Sequence, residues 1–190
     1  MVKYVRRMLF VVTLLVVFMI GCRTDIVKAA VTQSGILGTC VWEYDDSTKV
    51  LTIRPMNNTY GELSASSSSG PWYSKNLRMD VTKIVVKQGV KANKDSRDLF
   101  LAFTNVIDID LSGLDLSEVE NISGMFAYCY KLKNITADWR QASSVKSIYR
   151  MFQSCNQIET INLAGLDVSQ VTTFDNLCVF TRILVNSFVR

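Results

Sequence analysis

One segment of the sequence begins in the way that a calcium-binding loop begins. Asp108, Asp110 and Ser112 alternate along the chain and are followed by Gly113, which matches the first half of such a loop. The loop also needs a bidentate carboxylate at its twelfth position, and that position here is Val119. We therefore predict neither a bound metal nor a cofactor.

The chain lacks histidine, the residue that most often serves in acid–base catalysis and activates nucleophiles. The 190 residues include no histidine, which excludes Ser-His-Asp and Cys-His arrangements. Glu118 and Glu120 form a candidate acid pair, but the next repeat has no equivalent acids, so a solvated surface explains them better. We expect a protein without enzymatic activity.

Cysteine usage favours buried thiols over a metal site. Beyond residue 29 the chain holds Cys40, Cys129, Cys155 and Cys178, and their spacing is not typical of zinc ligands. An even number of cysteines also allows a disulfide in a chain that leaves the reducing cytosol. Because Cys129 and Cys155 share a repeat position, we favour free thiols that face the core, and the disulfide state stays open.

Three aromatic residues between positions 42 and 73 are candidates for a carbohydrate site. Trp42, Trp72 and Tyr73 could form a platform on which sugar rings stack. The alternative is that they pack beneath a β-hairpin, and we favour that interpretation.

The N-terminal segment has the composition of an export signal. Lys3, Arg6 and Arg7 precede an unbroken apolar run over residues 8–21, which is short for a membrane-spanning helix. This pattern predicts a secreted or cell-surface protein, in contact with a membrane only through the signal or a lipid anchor.

Two processing sites compete after the apolar run. Val27 and Ala29 occupy the −3 and −1 positions that ordinary signal peptidase reads, which predicts a signal peptide over residues 1–29. The alternative is a lipoprotein signal over residues 1–21, with Cys22 as the lipidated residue.

Charge patterning gives no support to a nucleic-acid partner. Five of the 21 basic residues but one of the 17 acidic residues lie within residues 1–29. The remaining chain is therefore neutral, and the formal charge of +4 belongs to the export signal.

A repeat of 26 residues must position the side chains discussed so far. Five apolar or sulfur-bearing residues recur at this interval, and segments 109–119 and 161–171 match almost residue for residue. The array extends over about residues 81–176. The first copy is Met125, Phe126, Cys129, Leu132 and Ile135, and the second is Met151, Phe152, Cys155, Ile158 and Ile161.

Each unit divides into two apolar segments of different periodicity. The pattern L-x-x-L-x-L, which indicates a short strand, occurs at 81–86, 106–111, 132–137 and 158–163. Between strands, residues such as Val119, Ile122, Met125 and Phe126 are spaced as the stripe of a short helix. Since one unit cannot bury its apolar face alone, we predict a right-handed α/β solenoid of parallel short strands and short helices.

The motifs M-F-x-x-C-x-x-L, L-x-x-I-x-L and D-x-S-x-V, at this period, resemble those of the BspA-type leucine-rich-repeat surface proteins of Gram-positive bacteria and mycoplasmas. The lead-in "GTCVWEYDDSTKVLTIRP" from Gly38 agrees with that resemblance. The resemblance covers about residues 35–176 and implies a non-enzymatic cell-surface role in protein binding or adhesion.

Upstream of the array, the alternation of residues 40–44 and 51–53 around a polar turn predicts a β-hairpin. We expect this hairpin to cover the first open strand edge. The chain then divides into a β-rich cap over residues 30–80, a leucine-rich-repeat-like array of about four units over 81–176, and a degenerate tail over 177–190.

The outward positions of the predicted strands form the candidate protein-binding face. Rigid concave surfaces of repeat proteins bind partners in this way, although a plain soluble surface is an equal alternative. The residues of this face are Lys83, Val85, Asp108, Asp110, Asn134, Thr136, Thr160 and Asn162.

We expect the partner to be an extracellular protein of a host matrix or a neighbouring cell, with a glycan at the aromatic residues as the alternative. Because the repeat pattern degenerates after Asn176, a further alternative is a truncated, non-functional member of the family. An uncapped apolar edge at that end would favour self-association.

Overall fold

Short strands dominate the described part of the chain. The computed structural model describes residues 31–65, 71–74, 76–178 and 184–186. The predicted export signal, with Cys22, lies outside these residues. Within them, no helix has the length and apolar character needed to cross a membrane.

The elements follow the alternation and turns of the sequence. Upstream of the repeats lie strands β1 (Val31–Leu37), β2 (Cys40–Asp45), β3 (Val50–Pro55) and β4 (Gly61–Glu62), and helices α1 (Pro71–Ser74) and α2 (Leu77–Asp80). The repeats contain β5 (Lys83–Val86), β6 (Val90–Lys91), β7 (Asp108–Asp110), β8 (Leu114–Asp115), β9 (Asn134–Thr136), a 3-10 helix (Trp139–Gln141), β10 (Thr160–Asn162) and β11 (Leu184–Asn186).

The main sheet joins the upstream strands to the repeats. Its order is β1-β2-β3-β5-β7-β9, antiparallel from β1 to β3 and parallel from β3 to β9. Lys83 pairs with Asp108 and Asp108 with Asn134, so equivalent residues of successive units are neighbours. Because β3 pairs with β5, the hairpin covers the edge that the first repeat strand would otherwise expose.

Two further columns connect the units away from the main sheet. Strands β4, β6 and β8 form a parallel three-stranded sheet. Single parallel bridges join Asp95 to Asn121, Asn121 to Ser147 and Ser147 to Thr173. Successive units are therefore joined in the main sheet, in the three-stranded sheet and at the single bridges.

The prediction of short helices between the repeat strands is wrong for residues 117–128, which form turns at 117–118 and 123–128 with a strand bridge at Asn121 between them. The backbone N–H of Gly124 donates to the carbonyl of Tyr149 at 2.8 Å, and that of Tyr128 donates to Gln153 at 2.7 Å. Gly124 and Tyr128 also have left-handed φ values of 62° and 63°, which end any helical path. Paired turns bury apolar residues at nearly the same spacing as a helix, which explains the misassignment.

An aromatic stack runs through the core from unit to unit. The ring centroids of Phe100 and Phe126 are 6.1 Å apart, and those of Phe126 and Phe152 are 5.4 Å apart, with nearly parallel planes. Trp72 continues the stack beyond Phe100 at 6.2 Å. The repeated Met-Phe motif thus supplies a column of stacked rings that ties the units together.

The strand ladder is interrupted between the third and fourth repeat strands. β9 ends the six-stranded sheet, whereas β10 pairs in parallel with β11 in a separate two-stranded sheet. The 3-10 helix that follows β9 places Trp139 at the repeat position of Gly113. A Cβ at Gly113 would collide with the backbone of Lys87 and Gln88, so the indole of Trp139 requires a different path at this corner.

Candidate binding face and cleft

The outward residues of the main sheet form two straight rows. Lys83, Asp108 and Asn134 align in one row. The isoleucines between the rows, Ile84 and Ile109, are fully buried. A second row, beside the first, consists of Val85, Asp110 and Thr136.

The two aspartates of this face have partners within the protein. Lys83 Nζ lies 2.7 Å from Asp108 Oδ2, and this interaction raises the pKa of Lys83. The backbone N–H of Ser112 donates to Asp110 Oδ1 at 3.0 Å and lowers the pKa of that carboxyl. In the described part of the chain, no group of three metal-ligating side chains comes together.

Glu118 and Glu120, the candidate acid pair, form ion pairs with different lysines. Glu118 Oε1 lies 2.6 Å from Lys91 Nζ. Glu120 lies between Lys94, at 3.0 Å, and Lys146, at 2.9 Å, which are its equivalents in the preceding and following units. Hydrogen bonds from these lysines lower the pKa of Glu120, so both acids act as surface charges that link units.

The last two predicted face residues, Thr160 and Asn162, belong to the separate sheet of β10 and β11. They are exposed, but the ladder does not continue to them from Asn134 and Thr136. The predicted face is therefore two surfaces with a gap between them.

A polar cleft of about 390 Å³ occupies this gap. Its lining side chains come from the β9 and β10 segments, and all of them are exposed. The repeat pattern did not predict this cleft, although the replacement of Gly113-Leu-Asp by Trp139-Arg-Gln in the repeat was a signal for it. The lining residues are Lys133, Asn134, Gln157, Glu159 and Thr160.

The two tryptophans proposed as part of a sugar platform are unsuited to that role. Trp42 and Trp72 are each 1% exposed, and Trp72 packs against the rings of Phe100 and Phe103. The side chain of Tyr73 lies outside the described residues. Packing, the favoured alternative of the sequence analysis, is what the structure shows for the two tryptophans.

The repeated cysteines are thiols that face the core. Cys129 Sγ donates to the carbonyl of Phe100 at 3.3 Å, and Cys155 Sγ donates to that of Phe126 at 3.1 Å. Burial raises the pKa of Cys155 to about 12 and that of Cys129 well above its ordinary value. Both groups therefore stay protonated and are poor nucleophiles.

Comparison with known proteins gives one family match and one structural likeness. Residues 94–185 match the family described as "Mycoplasma protein of unknown function, DUF285". A leucine-rich repeat protein from Eubacterium ventriosum ATCC 27560 superimposes with a TM-score of 0.47 at 17% sequence identity, covering 78% of this chain. The chain spans 42% of that protein's length. No curated protein matches the sequence.

Proposed function

We propose that this protein is a secreted or surface-attached leucine-rich-repeat protein that binds an extracellular protein through the outer face of its main sheet. The observation that carries the proposal is the pair of aligned rows on β5, β7 and β9. Polar side chains on parallel strands are held at fixed spacing, which favours recognition of a protein surface at a low entropic cost.

Export is part of the proposal. It rests on the basic and apolar residues of positions 1–21, which have the order of a secretory signal. The right-handed path of the units is also proposed, because parallel strands joined by crossovers nearly always turn in that direction. A non-enzymatic role agrees with the absence of histidine from the sequence.

The outward rows carry both positive and negative side chains, which suits a partner protein whose surface also carries both. The ion pair of Lys83 and Asp108 is partly exposed, with 45% and 31% of the two side chains accessible. Exposed pairs of this kind contribute little to folding, so their charges are available to steer a partner.

A binding assay on purified matrix proteins tests the proposal. Wild-type protein is compared with a variant carrying Asp108→Ala, Asp110→Ala, Asn134→Ala and Asn162→Ala. The matched control carries Ser117→Ala, Ser143→Ala and Ser169→Ala, at exposed positions of the turns. We expect the first variant to lose binding and the control to retain it. Equal binding by all three proteins would contradict the proposal.

A further inference from the structure

The cleft between β9 and β10 has two free strand edges as its walls. Within the described residues, β9 pairs only with β7 and β10 pairs only with β11. The side of each strand that faces the cleft therefore lacks a strand partner. Free edges of this kind bind extended peptides by adding backbone hydrogen bonds.

Opposite charges flank the cleft without meeting. Lys133 and Glu159 are separated by one 26-residue period, and elsewhere such neighbours form ion pairs, as Lys94 and Glu120 do at 3.0 Å. In the described residues neither Lys133 nor Glu159 has an ion-pair partner within 4.0 Å. Each wall thus offers one unpaired charge to a ligand.

The remaining lining groups suit a peptide backbone. Asn134 and Gln157 carry amides, which both donate and accept hydrogen bonds, and Thr160 carries a hydroxyl. Among the residues that the structure describes, no aromatic side chain lines the cleft, so these residues give a sugar ring no stacking surface there.

We propose that the cleft between β9 and β10 binds an extended peptide segment of the partner protein, with an acidic residue against Lys133 and a basic residue against Glu159. This inference rests on the proposed function and names the kind of segment that the strand face would take. The peptide continues the backbone pairing that is interrupted between the two sheets.

The test uses fluorescein-labelled octapeptides of alternating valine and threonine with two variable positions. These positions carry glutamate and lysine, two lysines, or two serines, and affinity is measured by fluorescence polarisation. For wild-type protein we expect the glutamate and lysine peptide to bind about fivefold more tightly than the serine peptide. For Lys133→Glu, which makes both walls acidic, the preference should change to the two-lysine peptide.

Lys131→Glu is the matched control, because Lys131 is exposed in the same segment but does not line the cleft. It should leave the peptide preference unchanged. An unchanged preference in Lys133→Glu, or binding of chitohexaose without binding of any peptide, would overturn the inference.

The proposed function can be separated from this inference by a second variant. Asp108→Lys alters a residue of the main sheet that does not itself line the cleft, and its binding to the matrix protein is measured beside that of Lys133→Glu. If only Asp108→Lys weakens that binding and no peptide binds, the cleft assignment fails while the proposed function stands. If the peptides bind as expected but no matrix protein does, the proposed function fails alone.

Discussion

Asp98 and Arg150 form an ion pair that spans two repeat units, with Arg150 Nη2 3.5 Å from Asp98 Oδ1. The residue between them in the repeat is Gly124, which occupies the same position one unit from each. A Cβ at Gly124 would overlap Asp98 Oδ1 and lie 3.3 Å from Arg150 Nε. The missing side chain of the middle unit therefore makes room for a contact between its neighbours.

Gly124→Ala should destabilise the protein by about 1–3 kcal/mol, because it adds a side chain at a left-handed residue and displaces the Asp98 carboxylate. The free energy of unfolding from urea titration checks this. Ala102→Gly is the control. Ala102 also has a left-handed φ, of 59°, but here the substitution removes a side chain from such a residue and so relieves backbone strain. That variant should leave the free energy of unfolding unchanged or raise it, and a loss of stability as large as that of Gly124→Ala would refute the argument.

Asp98 should make stability depend on pH in the unusual direction. Burial raises the pKa of its carboxyl, and Arg150 offsets only part of that effect. The folded protein therefore binds this proton more tightly than the unfolded chain does, and the contribution of Asp98 to stability falls as pH rises from the unfolded to the folded pKa.

The free energy of unfolding of Asp98→Asn, relative to that of wild type, should therefore be higher above the folded pKa of Asp98 than below its unfolded pKa.

Asp115→Asn should show the opposite trend in its free energy of unfolding relative to wild type, because hydrogen bonds from Ser117 lower the pKa of Asp115. Its stabilising contribution is present above the unfolded pKa and is lost as pH falls through the folded pKa. Urea titrations over the acidic range measure both trends, and parallel curves for the two variants would be evidence against these assignments.

The aromatic stack predicts a large cost for removing its middle ring. Phe126 is fully buried between Phe100 and Phe152, so Phe126→Ala should lower the free energy of unfolding by about 3–5 kcal/mol. Phe174 is 45% exposed, and Phe174→Ala should change it by about 0.5 kcal/mol or less. Similar losses in the two variants would show that the stack does not join the units.

The repeated thiols should resist alkylation while the protein is folded. Burial raises the pKa of all three thiols, but Cys129 and Cys155 are fully buried, whereas Cys178 is only half-buried. Iodoacetamide at mildly alkaline pH should modify Cys178 first, and all three should react in urea. Mass spectrometry of peptides measures the order, and rapid labelling of Cys129 in the folded protein is the outcome that this account forbids.

Much of the strand ladder could be predicted from the sequence, because the same pattern of buried residues recurs in each unit. The strand positions and the inward direction of Met125, Phe126 and Cys129 follow from residues that recur 26 positions apart. The turns at Gly124 and Tyr128 could not be distinguished from a helix, since apolar spacing is the same for both and left-handed φ values are not visible in a pattern.

The candidate site was less predictable than the ladder. The outward rows follow from alternation, but the break between β9 and β10 lies where the repeat has Trp139 in place of a glycine that has no room for a side chain. Packing of that kind involves residues distant in sequence, and a periodic pattern carries no information about it. The burial of Trp42 and Trp72 was expected for the same hairpin that proved to pair with the first repeat strand.

Carboxyl footprinting of the complex with a bound matrix protein tests the central claim most directly. Carbodiimide labelling of each carboxylate is compared by mass spectrometry in the free and bound protein. If the outer face of the main sheet is the binding surface, labelling of Asp108 and Asp110 falls on binding while that of Glu118 and Glu120 is unchanged. Protection of Glu118 and Glu120, with Asp108 and Asp110 still labelled, would contradict the account.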